Sequence, residues 1–197
     1  RSCLVGSEMC IRDRLILVQF NKLTIIIGSL ALIPVFIYPL MKRVTWWPQI
    51  FLGITFNWGA LLGWLSLSND FSSIYPILLY LACIFWTVGY DTIYAHQDKD
   101  DDIVLNLKSS AIKLGENTKN ALLIFYAIFF IIFAVILFSL SNSIIIHLAI
   151  LSLLIHLVFQ IIYLDIDNSD RCLKIFKSNN LLGLQISFFL ILELVIN

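Results

Sequence analysis

LLIFYAIFFIIFAVILF, residues 122–138, is apolar on every face, whether it is wound as a helix or laid out as a strand. A membrane barrel would show segments of about ten residues alternating apolar with polar, and this run does not alternate. A helix satisfies all its backbone groups within one uninterrupted apolar run, which is what lipid demands. Other runs of the same kind lie along the chain. About 20 apolar residues suffice to cross a bilayer, and six such runs occur, at roughly 23–41, 48–67, 73–95, 121–139, 144–163 and 179–196. LILVQF, residues 15–20, reads as the remnant of one more. The expected fold class is all-α, a polytopic transmembrane helical bundle of about six full spans plus that remnant.

Composition agrees. With 60% hydrophobic and 13% charged residues among 197, and no formal net charge, the chain is far more apolar than the roughly 45–50% of a soluble domain. Membrane lipid is the expected surrounding, and no nucleic-acid partner is expected. Cys3, Cys10, Cys83 and Cys172 show no CxxC pairing and read as neither a disulfide framework nor a zinc site.

Basic residues set the orientation. Lys42 and Arg43 follow the first run, Lys99, Lys108, Lys113 and Lys119 the third, and Arg171, Lys174 and Lys177 the fifth, whereas SLSND and SLSNS, after the second and fourth, hold no Lys or Arg. The positive-inside rule places the three basic loops, and the acidic stretch among them, on the cytoplasmic side. Residues 1–14, RSCLVGSEMCIRDR, carry charges throughout and lack the apolar run of a secretory signal. They are read as foreign to the fold, an artefactual segment, and residues 15–197 as the C-terminal part of a membrane domain.

Between the third and fourth runs stands YDTIYAHQDKDDDIVLNLKSSAIKLG, residues 90–115, with Asp91, Asp98, Asp100, Asp101 and Asp102 close together. On a helix, Asp91, Tyr94, Asp98 and Asp102 recur at intervals of three and four and share one face. Clustered carboxylates repel unless a cation sits among them, and Mg²⁺ takes one or two carboxylates together with substrate phosphate oxygens. A solvated acidic loop is the bland alternative. An EF-hand is not, because Ile103 and Ser109 replace the turn glycine and the bidentate glutamate. Asp91 weighs toward function, since it directly follows an apolar run, where an ionisable group is expensive.

The acidic stretch resembles the second aspartate-rich motif of the UbiA-type intramembrane prenyltransferases. YPLMKRVTWWPQIFLGITFNWGALLGW and RCLKIFKSNNLLGLQI are similar to helices and loops of the branch that uses 4-hydroxybenzoate, so the likeness covers nearly everything after residue 15. It implies transfer of a polyprenyl group from an allylic polyprenyl diphosphate to the aromatic ring of 4-hydroxybenzoate, in ubiquinone biosynthesis, with Mg²⁺ as cofactor. It also implies site residues: Asp98 and Asp102 as metal ligands, Asp91 in support of the site or of the aromatic acceptor, Arg43 and Lys108 on diphosphate or carboxylate, and Tyr94 and Asn57 in the pocket. Lys42, Arg43 and Lys108 could instead serve topology alone. His96 is read as part of a hydrated loop, His147 and His156 as packed or water-facing, and Glu193 as reaching an interface.

One family element has no counterpart. The first motif, NDxxDxxxD, is not matched by SNDFSSIYP, where Asn69 and Asp70 lack the following acids and lie on the other side of the membrane. The chain is therefore expected to be N-terminally truncated and to turn over little or nothing alone. Two rivals stand beside this reading: a relative acting on homogentisate, a naphthoate or haem, and a non-enzymatic cation channel or transporter with an acidic vestibule. The compact loops lead to a bacterial inner membrane as the expected location, with the mitochondrial inner membrane as the other candidate.

Overall fold

The computed structural model describes residues 15–68 and 70–197. Residues 1–14, read above as foreign, and Asn69 lie outside the described residues. Among those described, every regular element is helical. Six helical segments are long and apolar enough to cross a membrane: Lys22–Val44, Pro48–Ser68, Tyr75–Gln97, Ser110–Leu140, Ile144–Tyr163 and Ser169–Ile196, the first to sixth spans. Of LILVQF, residues 15–17 are helical and the chain then turns, with the Phe20 amide donating to the Leu17 carbonyl at 3.1 Å.

Local chemistry explains where helices start and break. Asn21, Ser143 and Asn168 cap the first, fifth and sixth spans by accepting from the backbone amides of Thr24, Ile146 and Arg171. The first span breaks between Leu30 and Leu32 because Pro34 lacks the N–H that would bond to Leu30 and its ring crowds that carbonyl. The second span breaks at Asn57, whose Nδ2 donates to the Gly53 carbonyl at 2.8 Å and so competes with the helical ladder. The fifth span has the bounds expected from its apolar run. The sixth begins at Ser169, ten residues before the apolar run at 179, so Arg171, Lys174 and Lys177 stand on helix rather than in loop. Hydropathy marks only the part of a helix that lipid must cover, and Asn168 starts this one outside it.

The third span is central, packing against the second, fourth and sixth. Its neighbours bury Phe129, Leu122, Leu137, Ile146, Leu153 and Leu182 around Ile93 and Ala82. Lipid is as apolar as leucine, so close packing and interhelical hydrogen bonds supply the cohesion. One such network joins four spans: the Tyr126 hydroxyl donates to Gln160 Oε1 at 2.6 Å, Gln160 Nε2 to Asn179 Oδ1 at 3.1 Å, and Trp86 Nε1 to the same Asn179 oxygen at 3.0 Å. His156 joins it through Ser178 at 3.2 Å, so of the two expected settings, packed or water-facing, it has the packed one.

Gly89 lets the fourth span approach. A Cβ at that position would collide with the Tyr126 ring, which is buried and held by Gln160. Gly89→Ala should therefore destabilise the bundle by about 1–3 kcal/mol, the usual cost of overpacking. Thermal unfolding in detergent measures it, and an unchanged midpoint would show that the two spans can separate freely.

Candidate active site

The last turns of the third span carry Asp91 and Tyr94, and the helix ends at Gln97. Asp98 closes it and opens the short helix Lys99–Val104, with φ −96° and ψ 6°. The single straight helical face expected through Asp102 is thus bent at Asp98. The one-turn relation survives the bend, because the Asp102 amide still donates to the Asp98 carbonyl at 2.9 Å. Asn106 then takes a left-handed conformation, φ 52°, which a short polar side chain tolerates better than most. The chain folds back there, the Leu107 amide bonding to the Asp102 carbonyl and the Lys108 amide to the Lys42 carbonyl, both at 2.8 Å.

Side chains brace this reversal against the bundle. Ser109 caps the helix Ser110–Leu114. The Ser110 amide donates to Gln49 Oε1 at 3.3 Å, and the Ser110 and Thr92 hydroxyls meet at 2.8 Å. Thr92 spends its proton on the Val88 carbonyl, so Ser110 is the donor. His96 lies 2.9 Å from the Thr118 hydroxyl, which in turn donates to the Gly115 carbonyl. Thr118 must then accept, which places the His96 proton on Nε2. The hydrated position expected for His96 is corrected: it is only 5% exposed and ties the third span to the fourth.

Asp102 is also only 5% exposed, and the Lys42 ammonium, from the last turn of the first span, stands 3.7 Å from its carboxylate. The charge of Lys42 acts on Asp91 as well, as does that of Asp98, and Tyr38 lies within the same field. Burial pushes the Asp102 carboxyl above the usual carboxylate range, the Asp98 charge adds to the rise, and Lys42 opposes it. Lys42 thus answers both Asp91 and Asp102, while Asp98 adds a further negative charge beside them. Lys42, expected from the sequence to serve topology, here pairs with Asp102. Successive helical residues point about 100° apart, so of the Lys42–Arg43 pair only one faces the acids, and no local signal says which.

The other candidates scatter around this centre. Arg43 is exposed and lines an open recess with Leu105, Asn106 and Leu107. Lys108 is occupied: its ammonium donates to the Val44 carbonyl at 3.0 Å and lies 5.6 Å from the centre of the Trp46 ring. Tyr94 stands beside Asp98 with its ring 4.8 Å from that of Phe176. Asn57 directs Nδ2 to Gly53, to Thr87 Oγ1 at 2.8 Å and to the Cys83 carbonyl at 3.2 Å, bracing the second span against the third. Asp70 is at the opposite end, where its carboxylate accepts from the Ser72 hydroxyl. Glu193 also reaches that end and accepts from Ser143.

Among the described residues no three His, Cys, Asp or Glu side chains converge tightly enough to cage a metal. A two-carboxylate set, Asp98 and Asp102, suits Mg²⁺ that draws its remaining ligands from water and substrate oxygens. Asp102 fits that role chemically, being buried, raised in pKa and only partly compensated by Lys42. Lys42→Met removes the competing positive charge and should tighten metal binding in the absence of substrate, roughly tenfold for a divalent ion several ångströms away in a hydrated mouth. Mn²⁺ titration followed by electron paramagnetic resonance reads this out, and weaker binding would show that Lys42 organises the acids instead of opposing the cation.

An aromatic wall leads inward from the acids. Tyr94 and Tyr90 both lean on Phe176, Tyr90 meets the Trp86 ring edge-on, and Trp86 stacks on Phe129 at 5.5 Å.

Comparison with known proteins gives a consistent result. The model of the family described as UbiA prenyltransferase family matches residues 14–189. The chain is 45% identical over 170 residues to the mitochondrial 4-hydroxybenzoate polyprenyltransferase of Drosophila melanogaster, covering 86% of the chain and 43% of that protein. To the Homo sapiens protein of the same name it is 40% identical over 177 residues, 90% of the chain and 48% of the relative. The chain thus spans about half the length of the curated relatives it matches. Among solved structures, the apo structure of a UbiA homolog from Aeropyrum pernix K1 superposes with a TM-score of 0.73, at 22% identity, over 97% of this chain and 70% of that one. This last likeness bears on the fold, which agrees with the expected helical membrane bundle. The relatives' names place them in mitochondria, so the bacterial inner membrane expected from the loops finds no support there.

Proposed function

The chain belongs to the UbiA prenyltransferase family, and from that premise we propose that residues 15–197 form the C-terminal part of an enzyme that transfers a polyprenyl group from an allylic polyprenyl diphosphate to the ring of 4-hydroxybenzoate. The observation that carries this reading is the group of Asp91, Asp98, Asp102 and Lys42 at one end of an apolar bundle, beside an aromatic wall that descends from it. The names of the relatives favour 4-hydroxybenzoate over other acceptors and a mitochondrial location, and a prenylated 4-hydroxybenzoate suits ubiquinone biosynthesis.

Asp98 and Asp102 would hold Mg²⁺, which when bound supplies positive charge against the leaving diphosphate. Lys42 rests on Asp102 and is placed to turn toward the diphosphate once the carboxylate is engaged. Arg43, exposed at the same rim, offers a planar fork for phosphate or for the benzoate carboxylate. Asp91 lies deeper along the third span than Asp98 and is assigned to the acceptor: it holds the ring hydroxyl during attack, and it takes the ring proton whose loss restores aromaticity. Tyr94, Tyr90 and Trp86 keep water from the electron-poor prenyl carbon. Lys108 contributes indirectly, by holding the reversal that presents Asp102.

The test is Mg²⁺-dependent transfer of a radiolabelled polyprenyl group to 4-hydroxybenzoate. It is run in membranes containing the chain alone, and in membranes containing it with any coding sequence that precedes it in its source. Transfer in the second and little in the first is the expected pattern, because no NDxxDxxxD motif stands in these 197 residues. Absence of transfer in both, with another aromatic acceptor prenylated instead, would overturn the choice of acceptor.

A further inference from the structure

A second charged recess lies apart from the acids, where the fifth span ends and the sixth begins, lined by Phe159, Tyr163, Arg171, Lys174, Ile175 and Ser178. Phe159 and Tyr163 are one helical turn apart, their rings 4.3 Å between centres, and both are largely exposed. Arg171, Lys174 and Ser178 rise on successive turns of the sixth span opposite them. Arg171 already meets the Asp165 carboxylate at 3.3 Å, while Lys174 is exposed and makes no ion pair among the described residues. Phe176, which packs against Tyr94 of the acid site, belongs to a different face of the same helix.

We propose that this recess binds the phosphate of an anionic phospholipid, at the same membrane face as the acidic site. The loops after the third and fifth spans share a side, two spans apart, and the Asp167 charge reaches His96 across them. Cations at the end of a span, above exposed aromatic rings and continuous with the lipid-facing Ile162 and Ile155, match both parts of a phospholipid. Lys174 and the outer edge of Arg171 meet the headgroup phosphate, and Phe159 and Tyr163 lie along the glycerol and upper acyl chains. A soluble anion would use the cations but leave the rings bare.

The experiment is native mass spectrometry of the detergent-solubilised chain titrated with phosphatidylglycerol, phosphatidylcholine or inorganic phosphate, with circular dichroism confirming helix content in each variant. The expected result is preferential retention of phosphatidylglycerol that millimolar phosphate does not displace. Lys174→Ala should weaken retention roughly fivefold, Lys174→Arg should preserve it, and Lys177→Ala, on the same helix but outside the recess, should change it less than about twofold. Equal losses for Lys174→Ala and Lys177→Ala would reduce the effect to diffuse attraction and overturn the site. Equal retention of phosphatidylcholine, or displacement by phosphate alone, would overturn the lipid assignment.

Discussion

Asp98→Ala and Asp102→Ala should each lower prenyl transfer by roughly 100- to 1,000-fold in whichever of the two membrane preparations described above is active, the usual cost of removing one group that stabilises charge at a reaction centre. Under the proposed function both carboxylates share one cation, so the double variant should lose little more than either single one. The two substitutions should differ in stability. Asp102 is buried and pairs with Lys42, whereas Asp98 makes no side-chain cap to its helix and has the Tyr94 hydroxyl beside it. Lys42 is partly exposed and keeps its hydration, so the loss on Asp102→Ala is modest, about 1 kcal/mol or less. Raising the Mg²⁺ concentration should partly rescue a variant that retains one carboxylate. Wild-type transfer in either variant would remove these residues from the metal site.

Asp91→Asn should separate chemistry from binding. The amide keeps the shape of the carboxylate but neither takes a proton nor supports the developing charge on the acceptor. The rate of the bound complex should fall roughly 100- to 10,000-fold, as for loss of a general base, while binding of the prenyl diphosphate, measured by Mg²⁺-dependent retention of labelled donor, stays close to wild type. Loss of donor binding together with rate would place Asp91 with the metal ligands instead. The main electrostatic cost at Asp91 is burial of its charge, ahead of the attraction of Lys42 and the repulsion of Asp98, so the neutral variant should leave the folded bundle no less stable.

The candidate site was only partly legible in the chain. The acids were visible because five of them fall within twelve residues, 91–102, beside a long apolar run, a pattern that composition and helical spacing both single out. Lys42 was not distinguished, since it and Arg43 are equally basic and adjacent, and only the rotation of the first span decides which one faces Asp102. His96 looked hydrated because Gln97, Asp98 and Lys99 follow it, yet Thr118, 22 residues away, gives it a partner and the fourth span covers it. Lys108 and Asn57 looked available for substrate for the opposite reason: the Val44 carbonyl and the Thr87 hydroxyl that engage them are brought near only by folding. The early start of the sixth span at Ser169 escaped a reading based on apolar runs, because its first ten residues are largely polar.

What the amino-acid sequence determined by itself is everything that depends on one segment meeting lipid: the helical class, the six spans and the one-turn relation of Asp98 to Asp102. Each follows from hydrophobicity and helical period, which are properties of neighbours in the chain. Tertiary structure alone decided the pairing of Lys42 with Asp102, the buried tie of His96 to Thr118, the Tyr126–Gln160–Asn179–Trp86 network and the Arg171–Lys174 recess. Those depend on how helices rotate and approach one another. In lipid, that is set by which small residues, such as Gly89, permit contact and which polar groups find partners there, and no single segment carries that information.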